Sequence, residues 1–264
     1  MDYFEKIFNL KGKIAIVTGG LGLLGQEFVK TLIHAQAKVA VFDFKTPSAD
    51  HPLIGLAQNQ PLLFFQVDVT SGQSVRLALE EVIKTWGSPA VLINSAAIDF
   101  PPDKTQEESF EDYSLEKWQA VLNTNLTGVF LCSQIIGAKM AAAGGSGSII
   151  NISSIYGLVS PDQRLYQGFV KPAAYSVTKS GILNFTRYLA TYWAKKNVRV
   201  NTLTPGGAFN NQNHEFVEKY NNRTPLGRMA RPDEFNGAIL FLASDASSYM
   251  TGANLIIDGG WTAW

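Results

Sequence analysis

The chain has 264 residues, of which 46% are hydrophobic, and it carries 22 basic and 22 acidic side chains. This hydrophobic fraction is ordinary for a globular core, and the balanced charge excludes the basic surface that nucleic acid or anionic membrane partners require. No linker rich in proline, glycine or serine divides the chain, so we expect one domain over residues 1–264.

The cellular context follows from the cysteine count and from the absence of targeting signals. Cys132 is the single cysteine, which rules out an intrachain disulfide framework and is typical of a reducing compartment. The N-terminus has no apolar signal core, and no apolar run approaches membrane-spanning length. We therefore expect a cytoplasmic protein with no membrane partner.

Short apolar runs alternate with helix-favouring stretches along the chain. Strands are predicted at 13–18, 38–43, 62–66, 90–94, 147–152, 198–201 and 254–257. Helices are predicted at 26–35, 72–85, 115–143, 173–195 and 232–243. This alternation indicates an α/β fold with a parallel sheet of about seven strands and helices on both faces, the doubly wound arrangement. Ligands bind such sheets beyond the carboxyl ends of the strands.

The loop after the first strand is rich in glycine. Glycine allows the backbone to turn sharply and to approach a pyrophosphate, and the following helix offers unpaired N–H groups and a positive dipole end. A glycine loop between a strand and a helix is the position of a dinucleotide fingerprint. The predicted phosphate contacts are Gly19, Gly22, Leu23, Leu24 and Gly25.

The second strand ends at Asp43, with Phe44 beside it as a further predicted cofactor contact. A carboxylate in this place accepts hydrogen bonds from the adenosine ribose hydroxyls and repels a 2′-phosphate. No arginine follows directly, although Lys45 is close. The sequence favours NAD(H), with NADP(H) as the alternative.

The next two strands also end in residues suited to a cofactor. Asp68 and Val69 follow the third strand, where they would hold the adenine. Asn94 and Ala96 follow the fourth strand in a run of small side chains against which a cofactor can lie. Ordinary turn chemistry is the alternative for both pairs.

Tyr175 and Lys179 are four residues apart at the start of a predicted helix, so they lie on one face of it. A nearby ammonium group favours the phenolate and lowers the tyrosine pKa from its usual value near 10. A tyrosine tuned in this way serves as a general acid or base near neutral pH. The alternative is a surface helix that carries one aromatic residue and one lysine.

In this order and spacing, the motifs resemble the short-chain dehydrogenase/reductase family along essentially the whole chain. The matching segments are the glycine loop, Asp43, Asp68-Val69, Asn94-Ser-Ala-Ala97, Asn125, Asn151-Ile-Ser-Ser-Ile-Tyr-Gly157, Tyr175-Ser-Val-Thr-Lys179, Asn201-Thr-Leu-Thr-Pro-Gly206, Thr251-Gly and Asp258-Gly-Gly260. The resemblance implies a single-domain Rossmann fold, a nicotinamide cofactor and a homo-oligomer, either a tetramer or a dimer.

The resemblance also implies a catalytic tetrad. Tyr175 would exchange a proton with the substrate oxygen while hydride moves to or from the nicotinamide, and Lys179 would lower the Tyr175 pKa and bind the nicotinamide ribose. Ser154 would hold the substrate oxygen where charge develops, with Ser153 as the alternative. Asn125 would disturb its helix and hold a water molecule.

Pro205 and Gly206 would flank the nicotinamide and begin a substrate loop. Asn210 stands in that loop where the family often has a threonine that touches the carboxamide. The glycine spacing is closer to that of longer sugar-nucleotide relatives, but this chain is too short for their substrate domain.

The segment 158–174 is longer than the usual connection between the serine and the tyrosine, and it is rich in polar residues. Because steroid or acyl-chain substrates require a mostly apolar pocket, we expect a polar substrate such as a sugar, a polyol or a sugar derivative. Arg164 would bind a substrate phosphate or carboxylate, and Tyr156 would line the pocket. The alternative for the segment is a solvated surface loop.

Other features have structural interpretations. His34 and His51 lack a second ligand at metal spacing, so no metal is expected. Trp261 and Trp264 suggest an exposed aromatic tail at a subunit contact, and residues 101–112 suggest a loop at the rim of the site. The sequence predicts an NAD(H)-dependent oxidoreductase acting on CH–OH or C=O groups. The alternatives are an NADP(H)-dependent carbonyl reductase and a non-catalytic NAD(H)-binding sensor or scaffold.

Overall fold

A computed structural model of the chain describes residues 3–99, 109–166 and 170–264. The proposed rim loop at 101–112 lies largely outside the described residues. The strands are β1 Ile14–Thr18, β2 Lys38–Asp43, β3 Leu62–Gln66, β4 Val91–Asn94, β5 Gly147–Ile152, β6 Val198–Pro205 and β7 Asn254–Ile257. All pairs of neighbours are parallel, in the order β3-β2-β1-β4-β5-β6-β7. The predicted doubly wound sheet is confirmed.

The helices follow the strands as expected, with several additions. They are α1 Tyr3–Phe8, α2 Leu23–His34, α3 Pro52–Ala57, α4 Gly72–Trp86, α5 Leu115–Leu122, α6 Gly128–Cys132, α7 Ala138–Ala142, α8 Ala173–Trp193, α9 His214–Arg223 and α10 Asn236–Ala243. The sequence did not predict α1, α3 or α9, which are short or strongly polar and lack a long apolar stripe. The predicted helix at 232–243 begins as a 3₁₀ turn, Pro232–Phe235.

The two faces of the sheet are covered by different helices. In β1, Ala15 and Val17 pack in the cluster that contains the buried side chains of α2 and α10. Ile14 and Ile16 point the other way, into the cluster formed with α4, α6, α7 and α8. This alternation follows from the two-residue period of a strand, and it leaves the carboxyl ends of the strands uncovered.

Two π-helical turns, Asn123–Thr127 and Ser133–Gly137, join α5, α6 and α7 into one continuous helix, Leu115–Ala142. By length and composition this is the one helix among the described residues that is apolar enough to cross a membrane. Half of its apolar window is buried within the fold, and it packs against α4 and α8, so it has the surroundings of a core helix.

Trp261 does not form the exposed aromatic tail that the sequence suggested. Its side chain is buried and stacks on Tyr220, with 4.3 Å between the ring centroids. Trp264 is exposed. An aromatic residue near a chain end becomes buried when a helix such as α9 folds over it, and the sequence did not predict α9.

Candidate active site

A cavity of about 1000 Å³ opens at the carboxyl ends of the strands. Its walls come from the loops after β1 and β4, which are neighbours in the sheet although they are distant in the chain. This is the switch point where doubly wound sheets bind their ligands. The volume lies at the upper end of the range for small-molecule and cofactor sites.

The glycine loop forms one end of this cavity, and two of its glycines permit no side chain. Gly19 has φ +63°, and a Cβ there would lie 2.7 Å from the Cα of Ala96. A Cβ on Gly25 would lie 2.1 Å from the carbonyl oxygen of Gly19. These contacts hold β1, the loop and α2 close together, so the first turn of α2 reaches the cavity.

The N-terminal end of α2 is a suitable anion site. Its N-cap residue, Gly22, has no side chain to accept hydrogen bonds from the first turn. Leu23, Leu24 and Gly25 line the cavity beside it. Uncapped N–H groups at a helix N-terminus favour a negatively charged ligand, so these residues fit a dinucleotide pyrophosphate.

Asp43 lies at the edge of the cavity with its side chain held in place. One carboxylate oxygen accepts from the backbone N–H of Leu21 at 3.0 Å, and the other accepts from that of Lys45 at 3.0 Å. Each oxygen retains a lone pair, so the carboxylate can also accept from ribose hydroxyls. Phe44 and Lys45 line the same end of the cavity.

Most of the other predicted cofactor residues line the cavity, and Asn94 is the exception. Asp68, Val69 and Ala96 line the cavity, as do Pro205 and Gly206. Asp68 is oriented by Thr70, whose backbone N–H and hydroxyl both donate to its Oδ1.

The Asn94 side chain points into the core and does not line the cavity, unlike Ser95, Ala96 and Ala97, which follow it. Its amide nitrogen donates to Ser133 Oγ at 3.0 Å and to Asn151 Oδ1 at 2.8 Å. Side chains on a strand alternate between the two faces of the sheet, so a position near the cavity does not ensure that a residue reaches it.

Ser154 and Ser153 have different surroundings. Ser154 lines the cavity, and its hydroxyl is near enough to Tyr175 to lower the pKa of that phenol. Ser153 Oγ donates instead to the backbone carbonyl of Lys179 at 2.7 Å. The hydroxyl of Ser153 is therefore occupied in holding α8, and Ser154 is the serine next to the phenol.

Lys179 lies beneath Tyr175. Its Nζ donates to the carbonyl oxygen of Ile152 at 2.9 Å and lies 5.6 Å from the centroid of the Tyr175 ring. Burial lowers the pKa of Lys179 to about 8, and the Asp99 carboxylate acts weakly in the opposite direction. A fraction of this lysine is therefore neutral near physiological pH.

The Tyr175 pKa differs from the expectation based on helix spacing. Burial of the phenol raises its pKa above the ordinary value, the Asp99 carboxylate raises it further, and the nearby Ser154 hydroxyl lowers it. Lys179 is close enough to act on the phenol, but it donates to Ile152 and does not offset the burial. The expected lowering by Lys179 is absent from this arrangement.

Asn125 is fully buried within the first π-helical turn. Its Oδ1 accepts from the backbone N–H of Ile98 at 2.8 Å, and its Nδ2 donates to the Ile98 carbonyl at 2.9 Å. The side chain does not line the cavity, but it fixes the loop after β4, which does. The local disturbance of the helix at Asn125 agrees with the expectation from the sequence.

Of the three predicted substrate residues, Tyr156 and Asn210 line the cavity and Arg164 does not. The Arg164 side chain is 85% exposed. Its guanidinium makes two hydrogen bonds to Asp162, at 2.8 and 2.7 Å, and these hold the pKa of that carboxyl at about 2. Arg164 is therefore paired with Asp162 outside the cavity, where it does not contact a substrate held at Tyr175.

Sequence reasoning missed two charged residues that the fold brings to the cavity. Lys171 and Asp99 line it together, and the Lys171 ammonium donates to Asp99 Oδ2. The ammonium also lies 4.6 Å from the centroid of the Tyr175 ring. Lys171 belongs to the polar segment at 158–174, and Asp99 follows the end of β4, but only the fold shows that they meet.

Tyr166, Phe216, Tyr220 and Met229 supply further aromatic and apolar lining of the cavity.

The described residues offer no cluster of metal ligands. No group of three or more His, Cys, Asp or Glu side chains with metal-binding geometry occurs among the residues that the structure describes. His51 instead caps α3 by accepting from the backbone N–H of Leu53.

Comparison with known proteins gives matches over nearly the full chain. Residues 23–262 match the family model described as enoyl-(acyl carrier protein) reductase. An NAD-dependent glycerol dehydrogenase from Listeria innocua is 34% identical, over 98% of this chain and 97% of its own. The crystal structure of a short-chain dehydrogenase from Leptospira borgpetersenii with bound NAD+ is 36% identical, with a TM-score of 0.88 over 99% of this chain and 96% of that chain.

A second similar structure was solved with a different cofactor and a further ligand. It is a gluconate 5-dehydrogenase from Burkholderia cenocepacia in complex with NADP and tartrate. It is 27% identical, with a TM-score of 0.88 over 99% of this chain and 100% of that chain.

Proposed function

The chain belongs to the short-chain dehydrogenase/reductase family, and we propose that it transfers hydride between NAD(H) and a secondary alcohol or ketone of a polar, hydroxyl-rich substrate. The observation that carries this proposal is the placement of Ser154, Tyr175 and Lys179 in one cavity with the glycine loop and Asp43. One end of the cavity is suited to a dinucleotide, and the other contains a serine beside a tyrosine.

The side chains divide the proton chemistry between them. In the oxidation direction, Tyr175 as the phenolate would take the proton from the substrate hydroxyl. A nicotinamide cofactor held in the cavity would supply the hydride acceptor for the carbon that bears this hydroxyl. Ser154 donates to the substrate oxygen and holds it where charge develops. Lys179 would hold the nicotinamide ribose, and in its protonated form it would place a positive charge near the phenolate. Asn125 fixes the loop after β4.

The polar character of the substrate is supported by the lining of the cavity. Asn210, Gln212, Asp99 and Lys171 all reach it, as does the hydroxyl-bearing Tyr156. A pocket with this many hydrogen-bonding groups penalises an apolar ligand, because burial leaves the polar groups unpaired. The glycerol and gluconate dehydrogenase names of two relatives agree with a sugar, a polyol or a sugar derivative.

The preference for NAD(H) rests on Asp43. A 2′-phosphate in this position would meet the carboxylate, whereas ribose hydroxyls would donate to it. Lys45 also lines the cavity and supports the alternative, an NADP(H)-dependent carbonyl reductase. One structural relative holds NAD+ and another holds NADP.

Assembly into a cytoplasmic homo-oligomer, a tetramer or a dimer, is part of the proposal. Phe130, Tyr188 and Tyr192 are exposed on α6 and α8, and the rings of the two tyrosines stack at 6.0 Å. Aromatic side chains left exposed on adjacent helices favour contact with a second copy. Light scattering coupled to size-exclusion chromatography measures the assembly directly.

The test is a cofactor titration followed by a substrate screen with the wild type and Tyr175→Phe. NAD and NADP binding are measured first, and sugars, polyols, sugar acids and apolar alcohols are then screened by absorbance of the reduced nicotinamide. We expect turnover with NAD and a polar substrate, and a loss of about 100-fold or more in Tyr175→Phe with cofactor binding retained. Tight NAD binding without turnover in the whole screen would instead support a sensor or scaffold.

A further inference from the structure

Lys171 is held at the substrate end of the cavity by contacts with three residues. Its backbone N–H donates to Gln163 Oε1 at 2.8 Å, and its carbonyl accepts from Gln163 Nε2 at 3.4 Å. Its ammonium donates to Asp99 Oδ2 and lies over the Tyr175 ring. The side chain is 7% exposed, against 36% for Asp99. A lysine so constrained has already lost its rotamer freedom, which favours a binding role.

The other cations near this end of the cavity are engaged elsewhere. Among the described residues, Arg164 and Arg223 both approach the carboxylate of Asp162, at 2.7 and 4.0 Å. Lys179 donates to the carbonyl of Ile152. Among the described residues, Lys171 is therefore the cation next to a substrate held at Tyr175. Its charge is already paired with the carboxylate of Asp99.

The geometry points to Lys171 and Asp99 as a specificity pair that selects an uncharged polyhydroxy substrate and rejects its carboxylate counterpart. This inference rests on the proposed function and narrows its substrate class. An ammonium has three donors, of which Asp99 takes one, and a carboxylate has about four acceptor sites. Neighbouring hydroxyls of a polyol can accept from Lys171 and donate to Asp99 without separating the two charges.

A carboxylate substrate meets the opposite situation. To reach the Lys171 ammonium it must approach Asp99 as well, and the two anions then repel each other in a partly desolvated cavity. At a separation of about 5 Å and an effective dielectric constant of about 20, this repulsion weakens binding by roughly 100-fold, which offsets the attraction of the substrate carboxylate to Lys171. The charge of Asp99 is thus what excludes sugar acids.

The experiment compares matched substrate pairs that differ in one terminal group, D-glucitol with D-gluconate and D-threitol with D-threonate. The wild type should show the higher kcat/KM for the polyol of each pair. Asp99→Asn should lower the polyol value about 10-fold and raise the acid value about 10-fold, which shifts their ratio about 100-fold. Lys171→Met should lower both values, because it removes the shared donor.

The controls separate recognition from folding and from cofactor binding. Asp245→Asn breaks a matched ion pair with Lys13, which directly precedes β1 and so lies at the opposite edge of the sheet. It should leave the ratio unchanged. NADH affinity and thermal melts are measured for every variant. The double variant Asp99→Asn/Lys171→Met removes both charges and leaves neither unpaired. It is used in place of any single variant that fails to fold. Its ratio of kcat/KM for the polyol to kcat/KM for the acid should fall toward 1.

Three results would overturn the inference. They are a wild type that prefers the acid of each pair, an Asp99→Asn variant that changes both members equally, and a ratio unaffected by removing both charges. A wild type that oxidises neither polyols nor acids refutes the proposed function instead. The inference is then decided by calorimetric binding of glucitol and gluconate to the NAD complex. The wild type should bind glucitol more tightly, and Asp99→Asn should shift the ratio of affinities toward gluconate. Binding of neither probe would count against the inference.

Discussion

Replacement of the buried Lys179 by methionine should make the stability of the protein less dependent on pH. In the folded chain, burial lowers the pKa of this lysine from 10.5 to about 8. At pH 7 the lysine is charged in both the folded and the unfolded state, so the folded state carries the full desolvation penalty of about 3 kcal/mol. The penalty disappears as the pH rises from about 8 toward 10.5, because the folded lysine then loses its proton while the unfolded one keeps it.

The sign and size of the effect follow from these two pKa values. Between pH 7 and pH 9.5 the wild type should gain about 2 kcal/mol relative to Lys179→Met, because the variant has no proton to lose at this position. The lost hydrogen bond to the Ile152 carbonyl destabilises the variant by a similar amount at both pH values and cancels in the comparison. In a chain of this length, 2 kcal/mol corresponds to a shift of about 4 °C in Tm.

The assay is thermal melting of both proteins by circular dichroism at pH 7 and pH 9.5, with Lys139→Met as the control that removes an exposed lysine. The wild type should melt higher relative to Lys179→Met at pH 9.5 than at pH 7, while the control should track the wild type. A difference in Tm that stays constant across this range, or that changes in the opposite direction, would refute the reasoning. Lys179→Met should also be inactive.

Three further changes test other parts of the site. Gly25→Ala should weaken NAD binding by about 100-fold or more in fluorescence titrations, because its Cβ would lie 2.1 Å from the backbone oxygen of Gly19. Asp43→Asn should raise the affinity for NADP relative to NAD by about 10-fold, since the carboxylate that repels a 2′-phosphate is gone. The kcat/KM for alcohol oxidation should rise with pH as the Tyr175 phenol ionises. Asp99→Asn should move that rise to lower pH, because the Asp99 carboxylate raises the Tyr175 pKa.

Control variants and contrary results check these expectations. Gly55→Ala should bind NAD normally, because a Cβ there meets nothing within 4 Å. If the ratio of NADP affinity to NAD affinity is unchanged in Asp43→Asn, Asp43 does not select the cofactor. Lys45 or another residue would then be responsible. A pH profile that moves upward in Asp99→Asn, or that moves equally in Asp245→Asn, would contradict the electrostatic account of Tyr175.

The strands were predictable because their information is local. Each is a short apolar run bounded by turn residues, and the parallel sheet follows from the helices between them. The glycine loop and Asp43 were predictable for the same reason, since both directly follow strands whose carboxyl ends meet at one edge. The choice of Ser154 over Ser153 agrees with the orientation of the two hydroxyl groups.

The failures concern partners that the fold brings from elsewhere in the chain. Arg164 looked like a free cation, but Asp162, two residues before it, takes its guanidinium. In the sequence, Lys171 is one of several polar residues in its segment. Only the fold shows that the loop after β4 brings Asp99 into contact with it. The spacing of Tyr175 from its lysine indicated proximity correctly, but it carried no information on burial, which dominates the pKa.

Asn94 illustrates how a residue near the cavity can serve it indirectly. Its amide belongs to a chain of buried hydrogen bonds. The chain runs in the order Ser133, Asn94, Asn151, Thr186 and Thr202. The chain links α6–α7 and α8 to three adjacent strands across the sheet. All five side chains are at most 2% exposed, where breaking one polar pair costs more than it does at the surface.

This buried network sets the position of α8 relative to β5. Thr186 is on α8, two turns beyond Lys179, and Asn151 is three residues before Ser154. A shift of the helix along the sheet would break the hydrogen bond between Asn151 and Thr186. The side chains of this network carry no charge, so a change of pH leaves their hydrogen bonds in place, and the network resists displacement of α8 at any pH.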